Sequence, residues 1–273
     1  MSSETGTFEM VLRSASELPL VKIDRSTFLQ KELSRFFDEE TVNKAVETTP
    51  AQAGIHVKEL ERIAKACINY ETGKVTALSA AAGIPGGFAM IGTVPADVAQ
   101  LFGHIIRILQ KLTYLYGWQD LFQNKDGVLD DETANQLTLF IGVMFGVNAA
   151  NVAITKIANN IAIRTVNVLP RMALTKGAIY PIVKQIAKML GVRMTKVMFA
   201  KGIGKAIPII GGVASGSITF AFFRPMAKRL QKYLVTLPVA DVGFYEKPHT
   251  DNIVDIDEID FSDIVFEDVE ESK

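Results

Sequence analysis

The chain has 273 residues, 48% of them apolar and 22% charged, with a formal net charge of −1 and positive mean hydropathy. That length can bury the core of one large domain or two modest ones, and the composition is the apolar end of soluble proteins, short of a polytopic membrane protein. A single cysteine, Cys67, excludes an intrachain disulfide, and the opening MSSETGTFEM lacks the basic-then-apolar order of a secretory signal, so a reducing cytoplasm is the expected compartment.

Scarce proline and long stretches of Ala, Leu, Ile, Lys and Gln favour helix over sheet. The expected fold is all-α. A single elongated helical domain spans 21–235, after an N-terminal segment 1–20 and before an extended or disordered linker and acidic tail, 236–273. Asp24 reads as the cap of a helix reaching about residue 37, with Phe28, Leu29, Leu33, Phe36 and Phe37 on its apolar side. A short helix over 40–46 and the linker TTPAQAG follow. Next comes a helix over 57–70, where Leu60, Ile63, Ala64, Cys67 and Ile68 recur at helical spacing and Cys67 reads as a core side chain.

VTALSAAAGIPGGFAMIGTVPA is 22 residues without a charge. Pro85, Gly86, Gly87 and Pro95 break it, which predicts two short buried helices rather than one membrane span. A long helix over 94–116 is capped by Thr93, takes Pro95 in its first turn and ends at Gly117. Asp130, Asp131 and Glu132 open another, where acids suit the helix dipole. Further helices are expected over 149–168, in YPIVKQIAKMLG, in RMTKVMFAKG and over 209–234, the last bending at Pro225. After residue 235 no periodicity supports a packed element. Gly142 with Gly146 and Gly212 with Gly216, each pair four apart, suit close helix–helix packing, whereas Gly83 and Gly87 around Pro85 read as a turn.

IDRSTFLQKEL, GIPGGFAM, PADVAQLFGHIIRILQKLTYLYGW and IGKAIPIIGGVASGSITF, in that order, resemble the EcsC family of bacterial proteins over roughly residues 18–234. The family is named for a gene encoded beside an ABC transporter. The resemblance implies a bacterial, cytoplasmic or membrane-associated helical protein with a role accessory to membrane transport or secretion. It brings no catalytic residues, and the acidic tail lies outside it.

Asp97, Gln100, His104, Arg107 and Lys111 fall within an arc of about 80° on the long helix, at 100° per residue. Tyr114 extends the stripe, and nearly everything else between Val98 and Leu112 is apolar. Three explanations stand: a narrow wet face, a buried network in which Asp97 holds Arg107 or His104, or a binding or acid–base site. His56, His104 and His249 are isolated, so no metal is expected. NKDGVLDDET places Phe122 and Thr133 where a calcium loop needs carboxylates, and AKGIGKA fails as a phosphate loop. No cofactor is expected and no catalytic residue is assigned.

The net charge hides a segregation. Residues 1–132 carry 13 basic and 18 acidic groups, 133–240 carry 14 basic and no acidic ones, and 251–273 hold ten acids against Lys273. A field of one sign speaks of partners rather than fold. Lys184, Lys188, Arg193, Lys196, Lys201 and Lys205, interleaved with Ile, Val, Met and Phe, suit an anionic bilayer surface. No nucleic-acid signature accompanies them. Within the tail, Phe261 and the adjacent Ile264, Val265 and Phe266 suggest docking across the basic half. The leading expectation is a cytoplasmic protein peripheral to the inner face of the cell membrane, with a membrane-protein partner possible. The alternatives are an enzyme or small-ligand binder using the Asp97–Lys111 stripe, and a membrane-inserting effector.

Overall fold

A computed structural model describes residues 3–82, 90–91, 94–122, 129–163, 179–204, 211–247 and 259–266. At 3–5, 79–82, 90–91, 94–97, 161, 163, 193–204 and 211–219 the description extends to the backbone alone. The described residues are 74% helical, against the third usual for a globular protein. Its helices are α1 (Ser3–Ser16), α2 (Arg25–Leu33), α3 (Glu39–Glu47), α4 (Val57–Ala82), α5 (Ala96–Leu115), α6 (Asp131–Phe145), α7 (Asn148–Ile163), α8 (Ile179–Gly204), α9 (Gly211–Leu234) and α10 (Val242–Tyr245). Two-residue strands β1 (Met90–Ile91) and β2 (Val94–Pro95) precede α5, paired antiparallel with Met90 opposite Pro95.

Local chemistry sets the helix ends. Asp24, Asp38 and Asp130 each accept the backbone N–H three residues on, at 2.7, 2.9 and 2.7 Å, capping α2, α3 and α6. Arg25, beside the first of these caps, is buried and closes a different helix. It donates to the carbonyls of Val46 and Thr48 at 2.7 Å each, acceptors that the end of α3 leaves without intrahelical donors, and to that of Trp118 beyond α5 at 3.0 Å. Gly117 ends α5 at φ +94°, where a side chain would collide with the carbonyl of Val239.

α5 is the central element, in contact with α1, α2, α4, α6 and α9. Ile105, Ile106, Ile108, Leu109 and Leu112 are all fully buried. One apolar cluster runs from Phe8 on α1 to Phe261 in the tail.

Five expectations are corrected. The N-terminal segment forms α1, whose Phe8, Val11, Leu12 and Ala15 enter the core. The helix expected to stop near residue 70 continues as α4 to Ala82, because nothing after Glu71 breaks it; Gly73 alone costs only about 1 kcal/mol. The uncharged stretch is therefore the end of α4 and, at 90–95, the short ladder, with 83–89 and 92–93 outside the described residues. YPIVKQIAKMLG and RMTKVMFAKG are one helix, α8, and the 3-10 turn Pro238–Ala240 with α10 buries Val239, Ala240 and Val242 where no packed element was expected. Pro225 lies inside α9 without ending it. Beyond α10, Phe261 is buried and Ile259, Ile264 and Phe266 pack on the same cluster, while Lys156 of α7 reaches Asp263 at 2.7 Å.

Candidate functional site

On α4 the residues Leu60, Ala64, Cys67, Glu71 and Val75 share one buried face, at spacings of four and three. An acid thus occupies a core position, and its side chain is fully buried. An isolated carboxylate there would cost several kcal/mol, so it must be paired. The partners come from α5: Lys111 Nζ lies 2.6 Å and Arg107 Nε 3.2 Å from Glu71 Oε1, and His104 Nδ1 lies 2.7 Å from Oε2. Spacings of three and four along α5 bring all three donors to one face, opposite one carboxylate. Burial pushes the Glu71 carboxyl up, but the hydrogen bonds from His104 and Lys111 and the charges of Lys111 and Arg107 outweigh it and hold the group at about 2.

Among the described residues the cluster has more cation than anion. Arg107 spends Nε on Glu71, and neither its Nη groups nor His104 Nε2 has a protein acceptor or donor among the described residues. Both side chains line a cleft of about 560 Å³. Gln100 of α5 and Lys74 of α4 add polar groups to its wall, and Ala77 and Leu78 of α4 with Leu18, Leu20 and Val21 supply the apolar part.

The segment from Leu18 to Val21 is a turn closed by the Val21 N–H on the Leu18 carbonyl at 3.3 Å. Pro19 in its second position and a positive φ in its third are the arrangement of a type II turn, which calls for Gly or Asn in that third place. Here the residue is Leu20, at φ +64° and 83% exposed. The turn is fixed from below. Gln110 on α5, fully buried, donates Nε2 to the Val21 carbonyl at 2.8 Å and accepts the Ile23 N–H at 2.9 Å. Gly103 lets the turn approach α5, since a Cβ there would stand 3.1 Å from Val21 and 3.2 Å from Leu18.

Of the expected stripe, Gln100, His104 and Arg107 meet at the cleft and Lys111 anchors Glu71 behind it. Asp97 belongs to α5, but its side chain lies outside the described residues. Tyr114 does not join them: it is fully buried, donates to Asp120 at 2.9 Å and packs against Phe28. Among the cationic candidates of α8, Lys184 pairs with Glu9 of α1 at 2.6 Å and Lys188 is exposed. Arg193, Lys196 and Lys201 have helical backbone only, and Lys205 lies outside the described residues. Gly142 permits close packing, for a Cβ would come within 2.7 Å of Ala150 and 3.0 Å of Ile186. Gly146 is instead the left-handed cap of α6 at φ +75°, beside the Arg229 guanidinium. Gly212 and Gly216 lie on α9 where the backbone alone is described, and Gly83 and Gly87 lie outside the described residues.

Sequence reasoning missed Glu71, Gln110, Lys74 and Leu20. The signals were present: an acid in a core register on α4, and a lone amide on the apolar side of α5.

Chemically, the arrangement suits holding an anion better than moving a proton. The His104–Glu71 pair has the form of an oriented base, yet Glu71 is already claimed by two cations. Among the described residues no Ser, Thr or Cys lines the cleft, and burial pushes the Cys67 thiol up to about 11. No group of three His, Cys, Asp or Glu side chains that could hold a metal ion occurs among the described residues. A scan against protein-family models and searches of curated proteins and of solved structures each find no match.

Proposed function

We propose that this is a peripheral membrane protein of the EcsC type, cytoplasmic, that attaches reversibly to an anionic bilayer surface through the mouth of the Glu71 cleft. A role accessory to membrane transport or secretion goes with that resemblance. The observation that carries the reading is Leu20. A leucine in the left-handed region costs about 1 kcal/mol, and this one buries almost nothing in return. Strain kept at an exposed apolar side chain, on the rim of a cationic cleft, makes sense if the side chain is buried in a partner. Leu20 and exposed Leu78 would enter the acyl boundary while Arg107 and Lys74 reach headgroup phosphates. Among the described residues no helix is long and apolar enough to cross a membrane. The acid-free segment 133–240 adds long-range attraction, on the order of 1 kcal/mol for each cation near anionic lipid.

Cosedimentation with phosphatidylglycerol and with phosphatidylcholine vesicles across a salt series tests this. Binding to the anionic vesicles alone, weakening as salt rises, is the expected result. Equal binding to both, or none to either, would overturn it, and release of an entrapped dye would favour the membrane-inserting alternative.

A further inference from the structure

We infer that the cleft takes a single anionic amphiphile, with a carboxylate or phosphate head against Arg107 and His104 and an acyl chain along Val21, Ala77 and Leu78. The inference deepens the surface reading by naming a ligand for the same site, and relies on that reading only for where the ligand comes from.

The head is specified by charge. Among the described residues, Glu71 offers one negative charge to Arg107 and Lys111, which leaves one positive charge over before Lys74 at the rim is counted. Because Glu71 holds Arg107 by Nε, the two Nη groups are kept as a fork, the geometry that matches a carboxylate or a phosphate oxygen pair. The same carboxylate holds His104 by Nδ1 and so fixes the ring; Nε2 is then a second directed contact that donates to an anionic head when the ring carries both protons. These groups are set in place before a ligand arrives, so little side-chain ordering opposes binding.

The chain is specified by the rest of the wall. The cleft volume of about 560 Å³ lies within the range of about 300–1,000 Å³ common for small-molecule sites. That is larger than an inorganic anion needs, and the surplus space faces aliphatic side chains. A free phosphate or acetate would leave those side chains wet. A single-chain amphiphile satisfies both halves at once.

The test uses the full chain, titrated calorimetrically with monomeric ligands below their micellar concentrations. The ligands are decanoate, dodecanoate, decyl phosphate, decanol and inorganic phosphate. Anionic heads are expected to bind, with each added methylene tightening binding about fourfold. Decanol and inorganic phosphate should bind at least about tenfold more weakly than the amphiphiles that combine both halves. Arg107→Gln should weaken the anionic ligands about tenfold or more. Since that change also disturbs Glu71, Ala77→Trp is the second variant. Ala77 is exposed on α4 and takes no part in the ion cluster, so the indole fills the cleft while the melting temperature stays put. Loss of dodecanoate binding in Ala77→Trp supports the site. Unchanged binding in that variant, or decanol binding as tightly as decanoate, overturns it. Vesicle cosedimentation separates the two claims. Dodecanoate binding without vesicle binding sinks the surface reading and keeps the cleft, and vesicle binding with no amphiphile titration does the reverse.

Discussion

Lys111 Nζ and Glu71 Oε1 meet at 2.6 Å where the carboxylate is wholly withdrawn from water, one turn of α5 beyond the arginine that shares the same oxygen. This pair joins α4 to α5 behind the cleft. One buried and one part-buried cation on one carboxylate make each of the three depend on the others.

Glu71→Gln keeps the size of the side chain but strands Lys111 and Arg107. It should destabilise by about 3 kcal/mol, read from urea melts. Adding Lys111→Met removes the more buried cation and should restore about 1 kcal/mol or more. A loss under about 1 kcal/mol in the single variant would mean that the cluster is solvated rather than buried.

The same carboxylate sets a pH dependence. In the folded chain Glu71 is held at about 2, below the ordinary 4.5, so its contribution is fully present above about pH 5 and is lost as pH falls toward 2. The loss should be on the order of 3 kcal/mol. Denaturant melts between pH 6 and pH 2 should show a steeper fall for wild type than for Glu71→Gln. Parallel curves would place the acid sensitivity elsewhere.

Leu20→Gly relieves the left-handed strain and removes an exposed side chain. Stability should stay level or rise by about 1 kcal/mol while affinity for anionic vesicles falls. A variant that melts no lower yet binds less cannot be explained by unfolding. Unchanged vesicle affinity would make Leu20 a tolerated oddity of the turn.

The tail supplies an internal competitor. With Phe261 buried and Lys156 engaged by Asp263, part of the acid-free segment is already occupied. A tethered segment acts at up to millimolar effective concentration, so weak docking counts. Changing Phe261, Ile264, Val265 and Phe266 to Ser keeps every acid and should tighten binding to anionic vesicles at equal charge. Equal binding would leave only bulk electrostatics.

What could be read in advance was whatever repeats along a single helix. His104, Arg107 and Lys111 stood out because their spacing put them on one face of an apolar helix. Their partner did not, because Glu71 sits on another helix, 33 residues from the nearest of them, and a charge there looked like the end of an amphipathic pattern. The turn at Pro19–Leu20 was hidden for a different reason: leucine is not a residue that announces a positive φ. α1 escaped because Ser, Thr and Gly before Phe8 mask the spacing of Phe8, Val11, Leu12 and Ala15. The Asp24, Asp38 and Asp130 caps lie within three residues of their targets; Asp24 was read as a cap from sequence, and Asp130 only as one of three acids opening α6.

The most direct measurement is fluorescence quenching of a tryptophan placed at the cleft rim. Trp118 is the chain's only tryptophan and is buried, so Leu20→Trp adds one reporter over a quiet background. With brominated acyl chains in phosphatidylglycerol vesicles, the residue-20 indole should be quenched while wild type is not, and brominated phosphatidylcholine should quench neither. If Leu20→Trp and wild type respond alike to the brominated anionic vesicles, the rim of the Glu71 cleft does not enter the bilayer and the proposed mode of attachment is wrong.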